Sequence, residues 1–255
     1  MRYEVLGPLR IVDEHGGSFI SGRKIETVLA VLLVRAGGVV TFDQLMAEIW
    51  GDTPPRRASA AIYVYISQLR KHLKRPGRSS SEIITRAPGY VLQLGSDELD
   101  ANSFIRLVNT GREHSREGRH REASRCFQSA LDLWHGPVLG DLRGGGSIIE
   151  GFATWLEEVR LECTEMLMDS YLQLGDHRRL VGQLYSLASE YPLNEAFYRQ
   201  LMLALYRSER QADALEVYQS ARKVLKSQLG LDPCRGLQDL QRAILLADDQ
   251  LETTG

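Results

Sequence analysis

Ala60, Tyr63, Val64, Ser67, Lys71 and Lys74 fall on one side of any helix drawn through residues 58 to 74. The opposite side carries Ile62, Ile66, Leu69 and Leu73, at spacings of four, three and four, which is the stripe a helix buries. Arg70 lies at the margin between the two faces. The outer face combines three chemistries. Lysine and arginine pair with phosphates and release their counterions, which gives affinity without sequence information. Serine and glutamine side chains exchange hydrogen bonds with base edges, and tyrosine or valine can rest on a thymine methyl group. No acidic residue interrupts the chain from Arg56 to Ser81, and residues 56 to 86 hold eight basic side chains against one acid, Glu82. Such a face suits double-stranded DNA; a merely solvated basic helix is the plainer alternative.

Elements on either side must hold this helix in place. A basic break follows it (Lys74, Arg75, Pro76, Gly77, Arg78), and then two β-prone runs, Ile83 to Arg86 and Tyr90 to Leu92. Ala87-Pro88-Gly89 joins them as a tight turn, with Arg86 near its tip. Upstream, Tyr3 to Leu6, Leu9 to Val12 and Ser18 to Ile20 read as three short strands. A first helix starts near Ser21, and Thr41 can cap a second that carries Leu45, Ile49 and Trp50. Gly51 to Pro55 leads into the third helix. Strands, three helices and a hairpin, ending near Leu94, are the order of a winged helix-turn-helix that engages both DNA grooves.

The whole chain, 255 residues with a formal charge of −2, conceals this concentration of charge. Residues 1 to 97 carry +4 and the remainder −6, so the charge is segregated. The length favours two domains, and the acidic polar stretch from Gly95 to Asp100 marks the expected boundary, dividing residues 1–95 from 96–255. Three scattered cysteines (Cys126, Cys163, Cys234) suit a reducing compartment and form no zinc-binding pair. No secretory signal and no membrane-spanning run is visible, so a soluble, cytoplasmic, nucleoid-associated protein is expected.

Beyond residue 95 helix formers dominate. Gly111, Gly118, Ala123, Phe127 and Ala130 sit at tetratricopeptide-like spacing, as do Tyr171, Gly175 and Pro192. Ala214, Tyr218 and Ala221 follow Leu180, Leu184 and Leu187 by one period of 34 residues. The array is imperfect: Glu209 stands where glycine is usual, and residues 135 to 151 interrupt the repeat. That interruption contains Gly144-Gly145-Gly146, but no strand precedes it and no Gly-Lys-Ser/Thr ends it. It reads as a flexible inter-helix loop and not as a phosphate loop. His114 and His120 lack partners at metal spacing, and Glu157-Glu158 looks like solvated helix surface. With no nucleophile, base and orienter together, the chain is expected to be no enzyme and to need no cofactor or metal. The expected fold is mainly α, a winged helix-turn-helix followed by an all-α tetratricopeptide-like domain.

Two resemblances sharpen this reading. Glu48-Ile49-Trp50-Gly51, then Val64-x-Ile66-x-x-Leu69-Arg70-Lys71-x-Leu73, then Ile84-x-x-Arg86-x-x-Gly89-Tyr90 resemble the effector domain of OmpR-type response regulators over about 95 residues. The resemblance implies base-edge contact by Tyr63, Val64, Ser67 and Gln68, and phosphate contact by Arg70, Lys71, Lys74 and Trp50. It implies minor-groove contact by Arg86; Trp50 can equally be core. Ala130 to Pro137, Leu174 to His177, Tyr191 to Glu195 and Leu201 to Pro233 resemble the bacterial transcriptional activation domain. Coupled in this order, the two halves are similar to the Streptomyces antibiotic regulatory protein family end to end. That resemblance implies a pathway-specific activator for a secondary-metabolite gene cluster. Its partners would be promoter direct repeats, bound as a homodimer, and RNA polymerase holoenzyme, with no membrane involved. Neither a receiver domain before the chain nor a nucleotide-binding domain after it is expected. A repressor sharing the DNA-binding half, or an interaction adaptor, are the alternatives.

Overall fold

The computed structural model describes residues 1–14, 16–74, 82–248 and 251; residues 75 to 78 of the basic break lie outside these. Three strands open the chain: β1 (Arg2–Glu4), β2 (Arg10–Asp13) and β3 (Gly16–Ser18). Then come α1 (Arg23–Val34), β4 (Val40–Thr41), α2 (Phe42–Trp50) and α3 (Ala58–His72). The hairpin β5 (Ile83–Arg86) and β6 (Gly89–Leu92) follows, with β7 (Glu98–Leu99) after it. One sheet has the order β3-β2-β1-β7 and the other β4-β6-β5. The third strand lies two residues earlier than the sequence reading placed it. Ile11 faces Ser18 and Asp13 faces Gly16 in the register, so pairing with β2 overrides the weak β-propensity of its glycines. The two-residue strands β4 and β7 carry too little pattern to be read from sequence. Thr41 forms the expected cap: its hydroxyl accepts the Gln44 N–H (3.2 Å), and the Gln44 side chain accepts the Thr41 N–H (2.9 Å). α1 buries Val28 to Leu33 and packs on α2 and α3, which makes it the centre of this module's core.

Helices make up the rest: α4 (Asp100–Arg116), α5 (His120–Leu131), a 3₁₀ turn at Gly140–Leu142, α6 (Ser147–Gln173) and α7 (His177–Glu190). After them come α8 (Glu195–Tyr206), α9 (Gln211–Leu229) and α10 (Arg235–Leu245). The chain forms two compact units, one of Met1–Leu107 with Ser129–Leu161 and one of Val108–Gln128 with Glu162–Gly255. Composition changes near residue 95, but the first unit continues past it for a physical reason. The backbone just beyond β1 has no strand partner, so its amides and carbonyls must be met from elsewhere. The buried Asp100 carboxylate accepts the N–H groups of Val5 (2.9 Å) and Leu6 (3.1 Å) as well as that of Ala101 (2.7 Å). The carbonyls of Leu6 and Val5 in turn accept the N–H groups of His135 (2.8 Å) and Leu139 (2.9 Å). Val138, Leu139 and Leu142 are buried in that contact. The segment expected to be a flexible loop is therefore packed, and Arg143 ties it to α6 through Glu150 (3.3 Å) and Glu157 (2.5 Å). Glu157 is thus paired, where the sequence alone predicts solvated helix surface.

In the second unit the repeat shows in its turns. The N–H of Gly118 bonds the Ser115 carbonyl and that of Arg119 the His114 carbonyl. Gly175 and Asp176 repeat this pattern onto Leu172 and Tyr171, and Glu209 and Arg210 repeat it onto Tyr206 and Leu205. These are three copies of one helix-ending motif, with the central residue left-handed at φ of 73°, 82° and 64°. Glutamate at the third copy departs from the repeat in residue type and not in geometry. A side chain at positive φ crowds its own backbone. Glu209→Gly is accordingly expected to raise the unfolding free energy by about 1 kcal/mol. A urea titration checks it: the midpoint should rise with an unchanged slope, and an unchanged or lowered midpoint contradicts the assignment.

Candidate nucleic-acid interface

α3 is built as its apolar spacing requires. Ala58, Ile62, Ile66 and Leu69 are buried on the core of the first unit, and Leu73 just beyond the helix joins them. The opposite face is open. Tyr63 is 58% and Val64 51% exposed, and Ser67, Gln68, Lys71 and Lys74 are exposed too. Two apolar side chains held that far into solvent cost free energy unless a partner covers them. Thus the two residue types suited to a thymine methyl and the two suited to base-edge hydrogen bonds share one ridge, with both lysines further along it.

The wing is braced to this helix by Arg70. Its Nε donates to the Ile83 carbonyl (3.0 Å), one terminal nitrogen donates to Thr85 Oγ1 (2.8 Å), and the guanidinium lies 5.7 Å from the Tyr90 ring centroid. Tyr90 packs on Phe42 (5.4 Å between centroids), and Phe42 on Tyr63 (5.2 Å). Burial pushes the Tyr90 phenol up from its ordinary pKa; Tyr63 acts in the same sense and Arg70 against it. A continuous chain of contacts therefore runs from the exposed ridge through the start of α2 to both wing strands. Gly89 completes the brace, since a Cβ there would meet the Val40 carbonyl oxygen across the β4–β6 pairing. Arg86 ends β5 opposite Gly89, exposed at the turn. The resemblance implied phosphate contact for Arg70, but two of its donor groups are engaged by the wing. Only geometry reveals this, because sequence shows its charge and not its partners.

Trp50 also occupies a definite place. Its ring lies 6.4 Å from Tyr65 and under the Lys24 ammonium (5.2 Å), while its indole nitrogen is buried and without a hydrogen-bond partner among the described residues. In this conformation the ring packs, and the N–H does not point to solvent. Lys24 is a basic group the sequence reading did not single out, as are the exposed Arg56 and Arg57 at the start of α3. The last two could have been flagged by their position before an uncapped helix N-terminus. Nothing in the sequence pattern links Lys24 to Trp50.

Comparison with known proteins agrees with this geometry. The family described as "Transcriptional regulatory protein, C terminal" matches residues 21–92, and "Bacterial transcriptional activator domain" matches residues 99–245. The chain is 36% identical to the regulatory protein DnrI of Streptomyces peucetius, over 100% of this chain and 96% of that one. It is 35% identical to the transcriptional regulator RedD of Streptomyces coelicolor, over 97% of this chain and 71% of the relative. The regulatory protein AfsR of Streptomyces coelicolor is 36% identical over 98% of this chain, which spans 25% of AfsR. Among solved structures, Mycobacterium tuberculosis EmbR in complex with a low affinity phosphopeptide matches with a TM-score of 0.90 at 31% identity. The match covers 99% of this chain and 68% of that one.

Arg70 and Lys71 are adjacent in sequence and should behave differently. Arg70→Ala is expected to lower the unfolding free energy by about 1–3 kcal/mol, since the Ile83 carbonyl and Thr85 hydroxyl lose their charged donor. Lys71→Ala should leave stability within about 0.5 kcal/mol. Chemical denaturation of the two variants side by side decides it, and equal losses would contradict the bracing role.

Proposed function

This chain belongs to the Streptomyces antibiotic regulatory protein family, and on that footing we propose that it is a pathway-specific transcriptional activator of a secondary-metabolite gene cluster. The observation that carries the reading is the exposed ridge of α3 beside a braced wing. Tyr63, Val64, Ser67 and Gln68 meet base edges in the major groove, where each base pair presents a distinct pattern. Lys71 and Lys74 hold phosphates, Arg86 reaches into the adjacent minor groove, and Arg70 keeps the wing at the required angle. Two copies bind side by side on a promoter direct repeat and recruit RNA polymerase holoenzyme. The work is done in the cytoplasm at the nucleoid. No helix among the described residues is long and apolar enough to cross a membrane, and no cluster among them has the make-up of a metal site.

Mutations should separate the two kinds of contact. Lys71→Ala is expected to weaken binding to all DNA and to reduce the salt slope by about one unit. Substitutions at Ser67 or Gln68 should alter preference among sites, at about 1–3 kcal/mol per lost base contact. Titrations of specific and random duplexes at several salt concentrations measure both, and equal losses on both duplexes for every variant would remove the base-reading assignment. Footprinting on promoters near the gene, followed by run-off transcription with purified polymerase, tests the activator. Transcription lowered by the bound protein would make it a repressor instead.

A further inference from the structure

Glu48 is a charged side chain with a structural puzzle attached. It sits in α2, within the stretch matched to the DNA-binding family, yet it is 2% exposed. Its carboxylate reaches the start of α6, within the stretch matched to the activator family. One oxygen accepts the Ile148 N–H (2.6 Å) and the other accepts the Ile149 N–H (3.3 Å). The first turn of a helix leaves its N–H groups without internal partners and its end partly positive, so a carboxylate there is both acceptor and counter-charge. The acid in α6's own first turn, Glu150, is engaged elsewhere, by the Gly144 N–H and by Arg143. The cap therefore comes from 100 residues away in the chain. Gly145 and Gly146 make the approach possible. A Cβ on Gly145 would lie 3.0 Å from the Glu48 carbonyl oxygen, and a Cβ on Gly146 would fall on the Glu48 carboxylate itself. Two residues beyond Glu48 comes Trp50, and then the exposed run that carries Arg56 and Arg57 into α3.

We propose that Glu48 is a positioning residue that couples the DNA-docking module to the activator helix α6, so that a promoter-bound chain presents α6 in one fixed orientation. This rests on the activator reading above. A carboxylate that only stabilised α6 could be replaced by a cap on α6 itself. A coupling residue could not, because a local cap leaves α2 and α6 untied. The glycine that makes room for Glu48 supplies that experiment: with the Glu48 side chain removed, position 146 can accept a capping aspartate, a residue favoured at helix starts.

The test compares Glu48→Ala, Gly146→Ala and the double variant Glu48→Ala/Gly146→Asp in the full chain. Each is assayed for thermal stability, promoter affinity and run-off transcription at saturating occupancy. The proposal expects promoter affinity to hold within about twofold in all three, with transcription per occupied site falling at least about fivefold, a typical coupling between sites. The double variant should regain the stability that Glu48→Ala loses while its transcription stays low, and if the single variants fail to fold it is read alone. Restoration of both stability and transcription in the double variant would overturn the coupling and leave Glu48 a helix cap. Wild-type output per bound site in Glu48→Ala would overturn it as well. An unmodified chain that binds the promoter without raising transcription contradicts the activator reading, and the coupling falls with it; losses confined to the variants bear on Glu48 alone.

Discussion

The Arg70 guanidinium joins the helix and the hairpin that the proposed function brings to DNA together. A recognition helix and a wing enter neighbouring grooves at the least cost when the angle between them is set before docking, since ordering them on the DNA would cost binding free energy. Here the angle is set by hydrogen bonds from Arg70 to Ile83 and Thr85, and by the aromatic run Tyr90, Phe42, Tyr63. Two donor groups of Arg70 are committed to the wing on a surface otherwise rich in basic groups. Lys71, Lys74 and Arg86 carry the remaining charge along the ridge and at the turn. Rigidity is supplied from one side of α3 and chemistry from the other.

A second constraint operates where the two family patterns meet. Backbone groups that no strand or helix satisfies are met by buried carboxylates remote in sequence: Asp100 for Val5 and Leu6, Glu48 for Ile148 and Ile149. Leaving such N–H groups buried without acceptors costs about 1–3 kcal/mol each. Removing either carboxylate would therefore loosen the first unit at its joint. This is why the first unit runs past the compositional boundary near residue 95 and includes part of the region after the first repeat.

Local features were legible in the sequence, and long-range ones were not. The burial of Ile62, Ile66, Leu69 and Leu73 follows from helical spacing alone, and the Thr41 cap and the hairpin follow from residue types a few positions apart. Glu209 was visible as a departure from the repeat, although its left-handed turn was not. Glu48 enters the sequence reading only as part of the motif Glu48-Ile49-Trp50-Gly51, and its partners, 100 residues on, are invisible there. The bracing by Arg70 is hidden for a related reason: its charge is evident in the sequence, but its hydrogen bond to a hairpin 13 residues later is not. Residues 135 to 151 read as a flexible loop because glycine is permissive, whereas Gly145 and Gly146 pack against Glu48 and Gly140 against Pro8. The ridge itself was the easiest part to see, since exposure, charge and spacing all point to it.

In the proposed complex one helix and one wing occupy adjacent grooves of the same promoter site. Methylation interference tests this in a single experiment, because dimethyl sulfate marks guanine N7 in the major groove and adenine N3 in the minor groove. Bound duplexes should be depleted of guanines methylated in the segment facing α3, and of adenines methylated in the minor groove directly beside it. Interference in one groove only, or in neither, would contradict it.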